Sequence, residues 1–217
     1  MFDFSNPENP ILEAIRKVSN IVILNVVFLL GCIPVITVGA SISALYTVCF
    51  QIAKQEDPYI WKGFWKAFRE NFRQSTCIWL ICLPVIAMLA LDFLFLQLQT
   101  SAFAAYLQIG VWAVAVVCLA VFHFVFPVAA HFICTVSQCF KNALLMCLAH
   151  LPYTLLFLLL DGAVLYLSLH SVRALGMIFM LAMICGFSCI ALFKSILFQR
   201  IFRIYDQKNL PETQPEA

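Results

Sequence analysis

The chain has 217 residues, of which 64% are hydrophobic and 11% charged, with 21 Phe against seven Gly. Soluble domains sit nearer about 45–50% apolar and 25% charged, and a water-soluble fold of this length could not hide so much apolar surface. The composition therefore excludes an ordinary soluble domain and makes lipid the solvent for most of the chain, and a net charge of +2 is too small to argue for nucleic acid.

The opening stretch, "MFDFSNPENP", has no basic region followed by an apolar core and a small-residue cleavage site. The first membrane helix is expected to act as the insertion signal and to be retained. The first apolar stretch runs from Ser19 to Ala53. As one helix it would be about 50 Å long at ~1.5 Å per residue, against a hydrocarbon core of about 30 Å. The segment "GCIPVITVGAS", Gly31–Ser41, holds the break. Pro34 lacks an amide proton and disfavours helix at Ile33. Thr37, Ser41 and Ser43 can cap a new start, and Gly39 permits an unusual backbone angle. The stretch reads as a tight helical hairpin with spans over 19–36 and 37–54. A single span followed by a re-entrant half-helix is the competing reading, because the second segment is at the short limit for crossing.

Next comes "WKGFWKAFRENFRQ". At about 100° per residue, Trp61, Phe64, Trp65, Phe68 and Phe72 fall on one stripe, with Lys62, Lys66, Arg69, Glu70 and Arg73 opposite. This predicts a basic amphipathic helix over 59–74, lying in the cytoplasmic interface between the second and third spans. Its stripe would anchor the helix in lipid and brace two spans. Alternatively, its basic face would dock acidic lipid or a partner protein.

Four further spans follow at about 75–99, 102–130, 143–169 and 174–199, separated by the polar breaks "LQTSA" and "LHSVRA". The expectation is an all-α polytopic membrane protein with about six transmembrane helices, forming a single transmembrane domain over 1–205. The polar, proline-rich tail over 206–217 is expected to be disordered. Both termini are expected to be cytoplasmic, so that the inner side holds Arg16, Lys17, Lys54, Lys62, Lys66, Arg69, Arg73, Lys141, Arg200, Arg203 and Lys208, with Lys194 snorkelling to join them. Only Arg173 falls outside, as the positive-inside rule requires.

A weak repeat links the two halves. Phe64, Phe72, Leu80, Leu83 and Pro84 recur as Phe132, Phe140, Leu148, Leu151 and Pro152, each 68 positions on (132 − 64, and likewise 152 − 84). Both copies run from an interfacial segment into an outward-going span with a proline inside, as a parallel repeat would. Chance identity in an apolar alphabet is the other reading. Of the ten cysteines, eight sit in apolar runs, while Cys134 and Cys139 lie in a short cytoplasmic segment; no CxxC occurs. All are expected to be free thiols that pack as small hydrophobes.

Ionisable residues inside a membrane are candidates for function. Asp92 and Asp161 match in depth near the outer ends of their spans, as solvated helix ends or as a carboxylate pair facing an outward vestibule. His123 and His150 match at about 12 Å from the inner ends, by helix rise. They could form a proton-relaying or metal-binding pair, or each could bond a nearby carbonyl. No third metal ligand is evident at that depth. No HExxH, GxSxG or Walker A motif is present, so no catalytic residue, cofactor or metal is expected.

The stretch "NPILEAIRKVSNIVILNVVFLLGCIPVITVGASISALY", followed by "WKAFRENFRQ" and "FKNALLMCLAHLP", resembles the YesL-like family of bacterial integral membrane proteins. The resemblance runs to about Tyr205, with the "PVITVGAS…ALY" block its most specific part. Two positions depart from it: His131 in "FPVAAHF", and Tyr153 after Pro152, stand where the family pattern carries Arg. The resemblance implies a domain of unknown biochemical function in the bacterial cell membrane, associated with carbohydrate uptake and utilisation, and it brings no catalytic motif. The leading expectation is a non-catalytic accessory or regulatory protein acting on a partner such as a sugar-uptake permease. The alternative is a small-molecule transporter or channel whose polar path is built from Asp92, Asp161, His123, His150 and Lys194.

Overall fold

The computed structural model describes residues 10–56, 59–97 and 102–209, which are helical apart from short joints and contain no strand. The helices are α1 (Pro10–Gly31), α2 (Val38–Ala53), α3 (Ile60–Gln97), α4 (Ala102–His131), α5 (Val136–Ala149), α6 (Leu151–His170), α7 (Val172–Leu181) and α8 (Phe187–Asn209). A 3-10 turn at Val35–Thr37 joins α1 to α2, and a π-helical turn at Ala182–Gly186 joins α7 to α8. Six stretches are long and apolar enough to cross a membrane: Glu13–Gly31, Val35–Ala53, Ile60–Leu96, Tyr106–His131, Leu151–His170 and Val172–Arg203. The chain is an all-α, multi-pass membrane protein. The predicted break at 98–101 and the end of the predicted tail, 210–217, lie outside the described residues.

The break after Gly31 falls where Pro34 requires it. The Thr37 hydroxyl donates to the Gly31 and Pro34 carbonyls, both at 2.8 Å, and so satisfies acceptors freed at the end of α1. The two helices it joins do not form the expected hairpin. Gly31 lies against Ser41 and Phe64. Further back on α1, Asn25 and Phe28 meet Ala182–Ser188. On α2, by contrast, Tyr46 and Phe50 meet Phe198, Gln199 and Phe202. In a hairpin closed at Gly31 and Ser41, Asn25 would lie beside residues near Thr47 and share their partners. Its partners instead precede those of α2 along α8, so α1 leads away from α2.

Two more boundaries differ from expectation. The predicted interfacial helix and third span are one unbroken 38-residue helix, α3. At ~1.5 Å per residue that is roughly 57 Å, nearly twice the hydrocarbon core. Its first four turns cannot turn into the membrane plane near residue 74, and they continue the span instead. The predicted fifth span, conversely, is cut at His150, whose backbone leaves helical geometry at φ −118° and ψ 49°. Pro152 cannot donate to a preceding carbonyl and occupies the first turn of α6, where that donor is not needed. The Thr154 hydroxyl donates to the Cys147 and His150 carbonyls at 2.9 and 3.2 Å, which stabilises the corner. The repeat-related Pro84 sits inside α3 without breaking it, and Ile86, which stands where Thr154 does in the second copy, has no hydroxyl to offer.

Burial divides the molecule. Buried residues fall within 24–31, 39–50, 60–78, 120–129, 139–147, 154–157 and 186–202, and no described residue is buried between 79 and 119 or between 158 and 185. α2 is the centre of the packed part. Its apolar window is 56% buried, against 11–28% for the other five. It carries a face of small residues on which α3 lies very close: a Cβ built on Gly39 would strike the Ser75 carbonyl and come within 2.6 Å of the Trp79 Cβ. Ser43 and Ser75 share a hydrogen bond of 2.7 Å across this contact, and the Trp79 indole donates to the Val35 carbonyl at 2.8 Å.

Candidate functional site

Three helices each send one ionisable side chain to a common point. α4 supplies His123, α6 supplies Asp161 and α8 supplies Lys194. The His123 Nε2 meets Asp161 Oδ2, and Lys194 Nζ lies 3.5 Å from Asp161 Oδ1 and 3.2 Å from His123 Nδ1. An ammonium has donors only, so His123 Nδ1 must accept from Lys194. The neutral ring then carries its proton on Nε2, facing the carboxylate. The three groups thus form a closed circuit in which a proton on either nitrogenous partner has an acceptor at hand. The side chains of His123 and Lys194 are 10% and 5% exposed and that of Asp161 35%, so the carboxylate is the member open to the outside of the bundle. Phe157 closes one side, with the Lys194 ammonium 5.4 Å from its ring centre. In so apolar a setting, two opposite charges hold each other strongly, while an isolated one would be very costly.

Three of the five predicted polar residues are therefore brought together, in a combination that the sequence reading did not make. His123 does not pair with His150, because both of its ring nitrogens face Asp161 and Lys194. His150 sits at the α5–α6 corner, where its carbonyl accepts from Thr154 and its ring lies 6.2 Å from that of Tyr153. Asp161 does not pair with Asp92, which lies half-buried in the outer part of α3. Lys194 does not snorkel to the interface; it is buried in the triad.

The predicted anchor stripe also has another partner. Phe64 is fully buried against Gly31 and stacks on Phe68, Trp65 and Phe68 are half-buried, and only Trp61 and Phe72 are exposed. The stripe is largely the α3 side of a protein contact. Lys62, Lys66, Arg69 and Arg73 face outward as predicted. Cys134 and Cys139 form a disulfide, where free thiols were expected. Gln74 donates to the Cys134 carbonyl at 2.7 Å, tying α3 to the α4–α5 joint.

One polar residue escaped the sequence reading altogether. Asn25 is fully buried; its amide donates to the Ala182 and Met183 carbonyls at 3.0 and 2.9 Å, and its Oδ1 accepts from the Ser188 backbone at 3.2 Å. It satisfies backbone groups that the π-helical turn leaves without their usual partners. The signal was a lone Asn within the apolar run "VILNVVF".

Among known proteins, residues 21–93 match the family model described as "Protein of unknown function, DUF624". The matched segment holds the second half of α1, all of α2 and nearly all of α3, roughly a third of the chain. It covers the tight α2–α3 contact and stops short of His123, Asp161 and Lys194. No curated protein and no solved structure matches this chain.

Proposed function

We propose a non-catalytic, multi-pass protein of the bacterial cell membrane in which the Asp161–His123–Lys194 triad is a proton-binding centre of a small-solute transporter or channel. The observation that carries this reading is the convergence of three ionisable groups from three helices at a point otherwise walled by apolar side chains. Such groups are costly within a membrane and cluster on ion and proton pathways. Asp161 reaches the outside of the bundle, the His123 ring both donates and accepts between the other two groups, and Lys194 compensates the carboxylate. Purified protein reconstituted in vesicles and subjected to a pH step tests it. Wild-type protein should carry protons across at a rate that Asp161→Asn reduces at least about tenfold, the effect of losing one essential proton carrier. Equal flux in both, or none above empty vesicles, would refute it.

A second reading is favoured by a different feature, the outward face of Trp61, Lys62, Lys66 and Arg69 on α3, together with the YesL-like resemblance. There the chain is an accessory component of carbohydrate uptake that docks a permease through this face. Recovery of a permease subunit with the protein from native membranes, abolished by Lys62→Glu with Arg69→Glu, would support it over transport.

A further inference from the structure

Beside the inner end of α2, a second polar site is built from different residues. Lys54 follows the end of α2, α4 ends at His131, and α8 passes both with Gln199, Arg200 and Arg203; these line a cavity of about 410 Å³. Its shape is fixed by contacts on the same three helices. The Gln199 amide donates to the Phe50 carbonyl at 2.9 Å, which docks α8 on the last turn of α2. The His131 ring stacks on the buried Phe202 ring at 4.8 Å. Three permanent cations, Lys54, Arg200 and Arg203, thus line one concave space, and among the described residues no carboxylate pairs with any of them. Like charges so placed repel one another, and an anion within the cavity would reverse that cost.

We propose that this cavity binds a phosphate group. Guanidinium forks match phosphate and carboxylate oxygens two at a time, and a lysine adds a point charge. A single carboxylate would leave two of three positive charges uncompensated, whereas a phosphate monoester brings up to two negative charges and three acceptor oxygens. The volume exceeds that of bare phosphate and falls in the range of small-molecule sites, about 300–1,000 Å³. Phe202 and Ile196 supply an apolar wall for the organic part. The ligand is therefore an organic phosphate, either free in the cytoplasm or the headgroup of an anionic lipid. The site is distinct from the triad: Lys194 and Arg200 are six residues apart on α8, about 9 Å along the helix.

The test uses the full chain in neutral detergent. In the soluble arm, binding of phenyl phosphate is measured by calorimetry. In the lipid arm, retention of phosphatidylglycerol is compared with that of phosphatidylcholine by native mass spectrometry. We expect saturable binding in one arm, weakened at least about tenfold by Arg200→Gln with Arg203→Gln, the equivalent of one charge-assisted hydrogen bond. Lys17→Gln with Arg173→Gln, which removes the same charge elsewhere, should leave it unchanged. Binding of phenyl phosphate identifies a soluble ligand, and selective retention of phosphatidylglycerol a lipid. No saturable binding in either arm, or equal weakening by both variants, overturns the proposal. Wild-type protein gives an independent readout should the arginine variant fail to fold. The ligand that binds should slow modification of Arg200 and Arg203 by phenylglyoxal, and modification at unchanged rates overturns the proposal as well.

Discussion

The part of the molecule around α2 and the part formed by residues 79–119 and 158–185 both consist of apolar helices, yet they solve opposite problems. Around α2, small residues let helices approach until backbone meets side chain, as at Gly39 and Trp79, and Phe64, Phe124, Phe126, Phe198 and Phe202 fill the space between. In the other part, Met88, Leu91, Leu159, Leu165 and Met180 all point away from the bundle. Most of the basic residues divide with the packing, Arg16 and Lys17 near the start of α1 excepted. Lys54, Lys62, Lys66, Arg69, Arg73, Lys141, Arg200 and Arg203 belong to helices or helix ends of the packed part, while Arg173 begins α7 at the far end. Hydrophobicity alone therefore does not say which residues meet lipid. Close approach does: where Gly39 and Ser43 let α3 lie on α2, the neighbouring side chains are buried, as expected where helix association rests on close packing.

The sharpest way to break this comparison is to ask which side of the membrane each part faces. Under the positive-inside rule, the basic residues of the packed part put it on the cytoplasmic side as an expectation. α1 runs from its start towards Gly31 in that part, so Arg16 lies 15 residues, roughly 22 Å, further from it along the helix. We expect an epitope tag before Pro10 to be reached by antibody on intact spheroplasts, and one after Asn209 to be reached only after permeabilisation. That outcome is all or none, and it differs from the sequence expectation of two cytoplasmic termini. Two hidden tags would return Arg16 and Lys17 to the inside and restore the hairpin of α1 and α2.

The next effect is energetic. Phe64→Ala removes a fully buried ring and should cost about 3–5 kcal/mol of stability. Gly39→Ala forces a methyl group onto the Ser75 carbonyl and should cost about 1–3 kcal/mol, the usual range for overpacking. Unfolding of each variant in mixed micelles measures both. A Phe64 ring embedded in lipid, as the amphipathic pattern first suggested, would be lost at far smaller cost.

What could be read in the sequence was whatever depends on position along one helix. Pro34 marked the first break, the apolar lengths marked the crossing segments, and the stripe from Trp61 to Phe72 marked one face of α3. What could not be read was rotation and neighbourhood. The stripe is the same whether it meets lipid or the small-residue face of α2. Matching residues by depth paired Asp92 with Asp161 and His123 with His150, like with like. Electrostatics in an apolar medium joins unlike groups instead, and a rule that sought a cation for each carboxylate would have led from Asp161 to Lys194. Pro84 and Pro152 each follow a leucine, Leu83 and Leu151, yet only the second copy breaks, where Thr154 supplies a hydroxyl to the corner and Ile86 cannot.

The smallest effect tests the exposed part. Leu159 is 62% and Met88 65% exposed, and both lie in stretches without a buried residue. Lipid tails are as apolar as these side chains, so shortening them exchanges one apolar contact for another and opens no cavity. Leu159→Ala and Met88→Ala should each change stability by less than about 0.5 kcal/mol, as substitutions outside packed sites usually do. The comparison with Phe64→Ala is then internal to one protein and one assay. A loss above about 1 kcal/mol at either site would show that its surface is not in lipid at all. It would have to be covered by protein, and cross-linking through Cys substituted at the same position would show whether a second copy of the chain covers it. The division between a packed part and a lipid-facing part would then describe the isolated chain, and the assembled protein would be packed throughout.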